Sequence, residues 1–179
     1  MAALKKLFAT VAVSCLTGAL SIGSGGVTHA SPRTLSTANC AGTAHATYTP
    51  GLTDTSSTVT YAWNYHYSTC LVVNAPGITS GTDTGSRTGA RSCLDLLRQR
   101  QDTLSITWNN GSVSTADVNV IATQEGLDLV VTRTGTVTSG PFTGDVFNET
   151  ITYLAPDFAQ RCATTGITSL TGTTVLVID

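Results

Sequence analysis

A row of aromatic residues at every second position is the first candidate for chemistry in this sequence. The row consists of Tyr61, Trp63, Tyr65 and Tyr67. On a β-strand this spacing places all four rings on one face. Such a face can be a flat platform on which sugar rings stack, a patch that binds a protein, or the buried side of a sheet. The three alternatives stay open, and the row is the candidate binding site.

Catalysis by histidine has two candidates after residue 30, His45 and His66. A Ser–His–Asp triad forms in space, so chain order does not exclude it. However, no Gly-x-Ser-x-Gly nucleophile elbow follows residue 30, and His66 is expected on the solvent side, opposite the aromatic row. The two glutamates, Glu125 and Glu149, are expected in a turn and in a strand, which does not suggest a glycosidase pair. We therefore assign no catalytic residue.

Four of the seven arginines lie close together in the sequence, at Arg87, Arg91, Arg98 and Arg100. They could receive a sulfate, a phosphate or an acidic partner. Asp95 and Asp102 lie among them, so we expect a solvated face of mixed charge. Asp83, within Gly81–Gly85, lacks the neighbouring oxygens of a calcium loop. We predict no metal and no cofactor.

The N-terminal 30 residues have the pattern of a signal peptide. Lys5 and Lys6 precede an apolar run over Leu7–Leu20, and Thr28-His29-Ala30 offers small residues at a cleavage site. The run is too short to span a bilayer comfortably, and a lipoprotein cut before Cys15 fits poorly. We predict a mature chain over residues 31–179 that is secreted, extracellular and without a membrane span.

The mature chain of about 149 residues is long enough for one domain with a substantial core. It carries seven arginines, no lysine and eleven acidic residues, which leaves a formal charge near −4. This balance repels polyanions, so we exclude nucleic acid as a partner.

The remaining cysteines are Cys40, Cys70, Cys93 and Cys162. An even number in an exported chain predicts two disulfides, for which three pairings exist. We favour Cys40–Cys70 with Cys93–Cys162, because this keeps one bridge within the first half of the domain. Metal binding is disfavoured, since no Cys-x-x-Cys pair is present.

The elements that must position these residues are strands, and the clearest is a β-hairpin over Asp102–Thr123. Two alternating runs flank Asn110-Gly111, a pair that predicts a type I′ turn. Ser92–Arg100 interrupts the β pattern and predicts one or two helical turns, capped by Ser92 with Asp95 three residues on.

Further strands are predicted at Thr43–Tyr48, Thr58–Tyr67, Leu127–Thr138, Val146–Leu154 and Gly172–Ile178, with a weak strand or an edge strand near Thr82–Thr88 and a short turn or helix at Ala155–Arg161. The total is seven to nine strands and no long helix. We therefore predict an all-β fold, an antiparallel β-sandwich (Ig-like or an open barrel) with one or two short helices.

Several local patterns resemble a family of small secreted actinobacterial proteins with four mature cysteines. They are Cys40-Ala-Gly-Thr43, Tyr48-Thr-Pro-Gly-Leu-Thr53, Ser92-Cys-Leu-Asp-Leu-Leu97, Trp108-Asn-Asn-Gly-Ser-Val-Ser-Thr115 and Gly135-Thr-Val-Thr-Ser-Gly140. The resemblance implies one exported, disulfide-bonded domain. It implies no activity and no catalytic residues.

From these observations we predict a non-enzymatic secreted protein that binds an extracellular ligand, a glycan or a protein, or that stays at the cell envelope. A small extracellular hydrolase with a site assembled near His66 is one alternative. An inhibitor of secreted proteases is another, and its exposed loop would be Gly77–Arg91.

Overall fold

The strands of this protein pair in sequence order around a ring. The computed structural model describes residues 36–179, so the predicted signal peptide lies outside the described residues. Eight antiparallel strands form a closed barrel in which each strand pairs with the next and the last pairs with the first. They are β1 (Thr37–Leu52), β2 (Ser57–Val73), β3 (Gly81–Arg91), β4 (Arg100–Trp108), β5 (Val113–Glu125), β6 (Asp128–Ser139), β7 (Val146–Leu154) and β8 (Ile167–Ile178).

Two short helices complete the fold, α1 (Cys93–Leu96) and α2 (Phe158–Ala163). The prediction of an all-β antiparallel domain with seven to nine strands and one or two short helices is confirmed. Of the two predicted alternatives, a β-sandwich and an open barrel, the structure is a barrel, and its sheet is closed. No helix in the described part of the chain has the length and apolar character needed to cross a membrane.

The hairpin of β4 and β5 forms as the alternation predicts. Its apolar residues point into the barrel and are buried, and they include Leu104, Ile106, Val118 and Val120. The turn differs from the type I′ prediction. Gly111 has φ +83°, but Asn110 does not adopt a positive φ. The last backbone pair is Trp108 with Ser112, so the loop has three residues and only its final glycine needs a positive φ. Asn110 Oδ1 accepts hydrogen bonds from the backbone N–H and the hydroxyl of Ser112.

The two disulfides are present with the favoured pairing. Cys40–Cys70 joins directly opposed residues of β1 and β2, and Cys93–Cys162 joins α1 to α2. Helix α1 begins as predicted, since the backbone N–H and the hydroxyl of Ser92 both donate to Asp95 Oδ2. The bridge between the helices therefore anchors the link from β3 to β4 against the end of the barrel.

The barrel is weakest where β3 meets β4. Pairing there is limited to Gly81–Trp108 and Thr82–Thr107, whereas β3 pairs with β2 along its whole length. We call the unpaired stretch beyond these two pairs the seam. The strand predicted near Thr82–Thr88 is present as β3, and along the seam its side toward β4 lacks a backbone partner.

The exposed loop required by the inhibitor hypothesis is not present over Gly77–Arg91. Residues from Gly81 onward belong to β3 and are held by hydrogen bonds to β2. Only the residues before Gly81 lie outside a strand in this range. That loop assignment was wrong, because most of the segment is a strand whose backbone is held by pairing with β2.

Candidate functional site at the seam

The four aromatic residues of β2 point into the barrel. Tyr65 and Tyr67 are buried, while Tyr61 and Trp63 are half-buried and line the opening at the seam. The buried-face interpretation is therefore confirmed for Tyr65 and Tyr67. The row does not form a flat outer platform, since the strand turns its other face, which carries His66, to solvent.

Trp63 owes its position to β3. It lies opposite Gly85, and a Cβ atom at Gly85 would lie 2.3 Å from the indole Cζ2 atom. The indole N–H donates to Asp83 Oδ1 over 2.8 Å. A bare backbone on one side and a carboxylate on the other thus fix the ring along the inner face of β3.

The aromatic rings form a stack with arginines above it. Tyr48 stacks on Tyr61 at a centroid distance of 5.3 Å, and Tyr61 stacks on Trp63 at 5.1 Å. The guanidinium groups of Arg91 and Arg87 lie 5.7 Å and 5.5 Å from the Tyr61 and Trp63 rings. These distances are typical of cation–π contacts, so positive charge borders the inner aromatic row along the seam.

A buried ionic network lies beneath the row. Arg133 Nη1 lies 3.0 Å from Asp83 Oδ2, and Arg133 Nε lies 2.6 Å from Glu149 Oε2. Tyr67 and Thr174 both donate to Glu149 Oε1. One guanidinium group thus serves two carboxyl groups inside the barrel.

The residues around Arg133 keep its guanidinium group charged and leave one of its N–H donors, on Nη2, without a partner within residues 36–179. Burial lowers the pKa of Arg133, but Glu149, with help from Tyr67, Tyr65 and Asp83, outweighs burial and holds that pKa well above its ordinary value. The buried Nη2 atom has no hydrogen-bond acceptor among the described residues. Unsatisfied buried donors are rare, and this one belongs to a side chain that lines the inner chamber described below.

Tyrosine hydroxyls form a second network. Tyr153 donates to the Tyr65 hydroxyl over 2.9 Å, and the Tyr61 and Tyr65 hydroxyls lie 3.2 Å apart. Burial raises the pKa of each of these three phenols above the ordinary value. They therefore remain protonated, as hydrogen-bond donors, at neutral pH.

Three spaces that share lining residues lie along the seam. The groove, of about 590 Å³, is lined by Arg87, Gln101, Asp102, Thr103, Asp117, Val118 and Asn119. The inner chamber, of about 30 Å³, shares Asp102 and Thr103 with the groove and is bordered by Trp63, Asp83 and Arg133.

The tyrosine chamber, also about 30 Å³, is lined by Tyr48, Tyr61, Tyr65, Tyr153, Arg91, Arg100 and apolar side chains. It shares Tyr61, Tyr65 and Arg100 with the inner chamber. A single water needs roughly 10–15 Å³ on this scale, so each chamber has room for a small polar group. Only the groove reaches the size of ordinary ligand pockets, roughly 300–1,000 Å³.

The arginine cluster divides into two pairs. Arg87 crosses the seam to Asp102 at 2.8 Å, and Arg98 lies 3.6 Å from Asp95. For these two arginines the predicted mixed-charge face is present. Arg91 and Arg100 instead line the tyrosine chamber, and neither forms an ion pair with a carboxylate of residues 36–179.

The histidines lie outside the barrel. His45 and His66 are both exposed. His66 borders a shallow depression of about 160 Å³ together with Ser80, and no carboxylate is among the residues that line it. Glu149 is buried in the ionic network, whereas Glu125 ends β5 and is exposed. The structure thus brings His66 and a serine together without the acid of a triad.

Two potential metal sites are explained by other bonds. Asp54, Cys93 and Cys162 offer ligand atoms within 4.8 Å of one another, but the two sulfur atoms are bonded to each other. Asp83 lies on a strand and its carboxylate is occupied by Trp63 and Arg133.

The polar interior formed by Arg133 and Glu149 was not predicted from the sequence. A signal for both existed in the strand alternation. Glu149 falls between Phe147 and Ile151 on the inward face of β7, and Arg133 follows Val131 on β6. A charged residue at an inward position is costly unless it is paired, so such a position can be recognised before the structure is known.

Comparisons with protein-family models, with curated proteins and with solved structures find no match to this chain. The resemblance to small secreted actinobacterial proteins stays a prediction. The functional interpretation therefore depends on the geometry of the seam.

Proposed function

We propose that this protein is a non-enzymatic extracellular binding protein that takes a small ligand at the seam. The observation that carries the proposal is the missing pairing between β3 and β4, which opens the barrel beside a half-buried tryptophan. Eight-stranded barrels have an interior that side chains just fill or that holds one small ligand. Here side chains fill the interior, and the opening lies in its side.

The composition of the seam supports recognition of a ligand. The half-buried rings of Trp63 and Tyr61 border the opening, and the groove adds the side chains of Arg87, Gln101 and Asn119. Ligand pockets commonly combine an aromatic surface with a few oriented polar groups. Trp63 is already held by Gly85 and Asp83, so little ordering of this ring is required on binding.

The absence of catalysis is part of the proposal. Neither histidine lies at the seam. Of the carboxyl groups that do, Asp83 and Asp102 are engaged by Arg133 and Arg87, and Asp117, which lines the groove, accepts a hydrogen bond from the Thr103 hydroxyl. A hydrolase site near His66 would have to work without an acid in its depression. The aromatic row points into the barrel, so it does not provide the outer surface on which sugar rings were expected to stack. A glycan would therefore have to bind in the groove.

Export is supported by the two disulfides, which are typical of proteins in oxidising compartments, and by the predicted signal peptide. Expression of the full chain in an exporting bacterium tests it. We expect the secreted product to begin at Ser31. Retention of the intact N-terminus inside the cell would contradict export.

Binding is tested by ¹⁹F NMR on protein labelled with 5-fluorotryptophan. The chain has two tryptophans, and Trp108 is buried away from the seam, hydrogen-bonded to Ser114. Titration with N-phenyl-1-naphthylamine, with 8-anilinonaphthalene-1-sulfonate and with a panel of oligosaccharides should give a saturable shift of the Trp63 signal for at least one probe. The Trp108 signal is the internal reference.

A matched pair of variants locates the binding. Asn119 borders the groove, whereas Asn148 is an exposed residue of β7 outside it. Asn119→Tyr should abolish the saturable shift of Trp63, and Asn148→Tyr should preserve it. A Trp63 signal that no probe moves, or that moves equally in both variants, would refute binding at the seam.

A further inference from the structure

The tyrosine chamber has an unusual charge balance for a cavity inside a barrel. Arg91 and Arg100 line it, and no carboxylate is among its lining residues. Arg91 is near enough to Asp95 to contribute to the lowered pKa of that carboxyl group. However, Asp95 Oδ2 accepts hydrogen bonds from Ser92, and its Oδ1 faces Arg98. Two cations thus border one half-enclosed space without a bound anion from residues 36–179.

The polar groups of the chamber also favour an anion. Its four tyrosines, Tyr48, Tyr61, Tyr65 and Tyr153, bring hydroxyl groups, and burial raises the pKa of all four. The Tyr153 O–H is used in its bond to Tyr65, and one proton is used between Tyr61 and Tyr65. The hydroxyl of Tyr48 and one hydroxyl of the Tyr61–Tyr65 pair therefore remain to donate, together with the guanidinium groups. A group that only accepts hydrogen bonds and carries negative charge is the complement of such a set, and a carboxylate is the smallest common example.

The apolar side chains that line the chamber determine what can be attached to the carboxylate of the ligand. Leu96, Leu129 and Leu170 border the same space as the arginines. The chamber holds about 30 Å³ of free space, which fits a carboxylate group but not a long chain. The ligand must therefore be small and must extend from the chamber along the seam, against the rings of Tyr61 and Trp63.

We propose that the tyrosine chamber binds the carboxylate of a small aromatic acid, with Arg91 and Arg100 as the charged partners. This inference rests on the proposed binding function and names its ligand class. The ring of the acid lies at the apolar and aromatic side chains, and the seam is its route of entry.

Benzoate and benzamide test the proposal because they share shape and differ in charge. Binding is followed by the chemical shifts of the arginine Nε–H groups in ¹⁵N-labelled protein. We expect benzoate to bind about tenfold more tightly than benzamide or better, as charge-assisted hydrogen bonds imply. The largest shifts should belong to Arg91 and Arg100.

Variants separate this site from general attraction to positive charge. Arg100→Gln should reduce the preference for benzoate to near unity, and Arg91→Gln should reduce it as well. Arg98→Gln is the matched control, since Arg98 lies in the same segment but does not line the chamber. It should leave the preference unchanged.

The outcomes distinguish the two proposals. Equal affinity for benzoate and benzamide, or a preference that survives in Arg100→Gln, would overturn the carboxylate site while leaving binding at the seam intact. Failure of both compounds, with a Trp63 shift still produced by the naphthyl probes, would do the same. If no probe moves Trp63 or the arginines, both proposals fail.

Discussion

The indole ring of Trp63 occupies the space that a side chain at Gly85 would fill. An ideal Cβ at Gly85 would lie 2.3 Å from Cζ2 and 2.6 Å from Cη2 of that ring. Gly89, on the same strand, has no heavy atom within 4 Å of its own ideal Cβ. One strand therefore provides both a sensitive glycine and a matched insensitive one.

Gly85→Ala should displace Trp63 and lower the free energy of unfolding by roughly 1–3 kcal/mol, as overpacking does. Gly89→Ala should be neutral or stabilising by about 0.4–1 kcal/mol, because it restricts the unfolded chain without a clash. Urea denaturation measures both, and the ¹⁹F signal of Trp63 should change only in Gly85→Ala. Equal stability of the two variants would contradict this account of the ring.

Arg133→Met should destabilise the barrel by about 3–5 kcal/mol, because it leaves Asp83 and Glu149 buried without their shared cation. The triple variant Asp83→Asn, Arg133→Met, Glu149→Gln should recover a large part of that loss, since neutral amides remove the unpaired charge. Chemical denaturation tests both. If Arg133→Met alone is as stable as the parent protein, the ionic network contributes little to stability.

Alkaline pH should unfold this protein cooperatively. All five tyrosines have a pKa that burial raises, and they are Tyr48, Tyr61, Tyr65, Tyr67 and Tyr153. Their contribution to stability is complete below the unfolded pKa, about 10, and is lost as the pH rises above it, because the unfolded state then releases protons that the folded state keeps. The loss is about 1.4 kcal/mol per pH unit for each tyrosine.

Absorbance at 295 nm, which reports phenolate, and circular dichroism at matched pH measure this effect. We expect little phenolate in the folded protein near pH 10 and a single step above it that coincides with loss of β structure. Tyrosines that ionise gradually near pH 10 while the fold persists would contradict burial of the phenols.

The bridge Cys93–Cys162 should contribute more stability than Cys40–Cys70. It spans 69 residues against 30, which corresponds to about 4.4 against 3.7 kcal/mol in the chain-entropy model. The bridge Cys40–Cys70 also links two strands that backbone hydrogen bonds already hold together, since β1 and β2 remain paired without it. Double alanine variants compared by urea denaturation test this order, and a larger loss on removing Cys40–Cys70 would reverse it.

Features of this structure that depend on residues close together in the sequence could be predicted, and features that depend on distant residues could not. The hairpin of β4 and β5 was predictable because alternation and a nearby glycine act over a few residues. The predicted turn type was wrong, because the hairpin closes at Trp108 and Ser112 and its loop therefore has three residues, of which only Gly111 has a positive φ. The helix start at Ser92 and Asp95 was predictable because capping is local.

The candidate site shows the limit of such signals. The row from Tyr61 to Tyr67 was visible, but its spacing is the same on a buried face and on an outer one. Its partners Asp83, Arg133 and Glu149 come from three other strands. Their approach depends on the register around the whole ring, which no local pattern encodes.

An all-β chain, antiparallel strands and two disulfides among the four later cysteines could be predicted without the structure, because alternation, turns and cysteine count are properties of the chain alone. Tertiary structure alone decided that the sheet closes, that the aromatic row lies inside and that β3 separates from β4. Closure requires every strand to match two neighbours in register, and the residues that meet across the seam become neighbours only when the ring is complete.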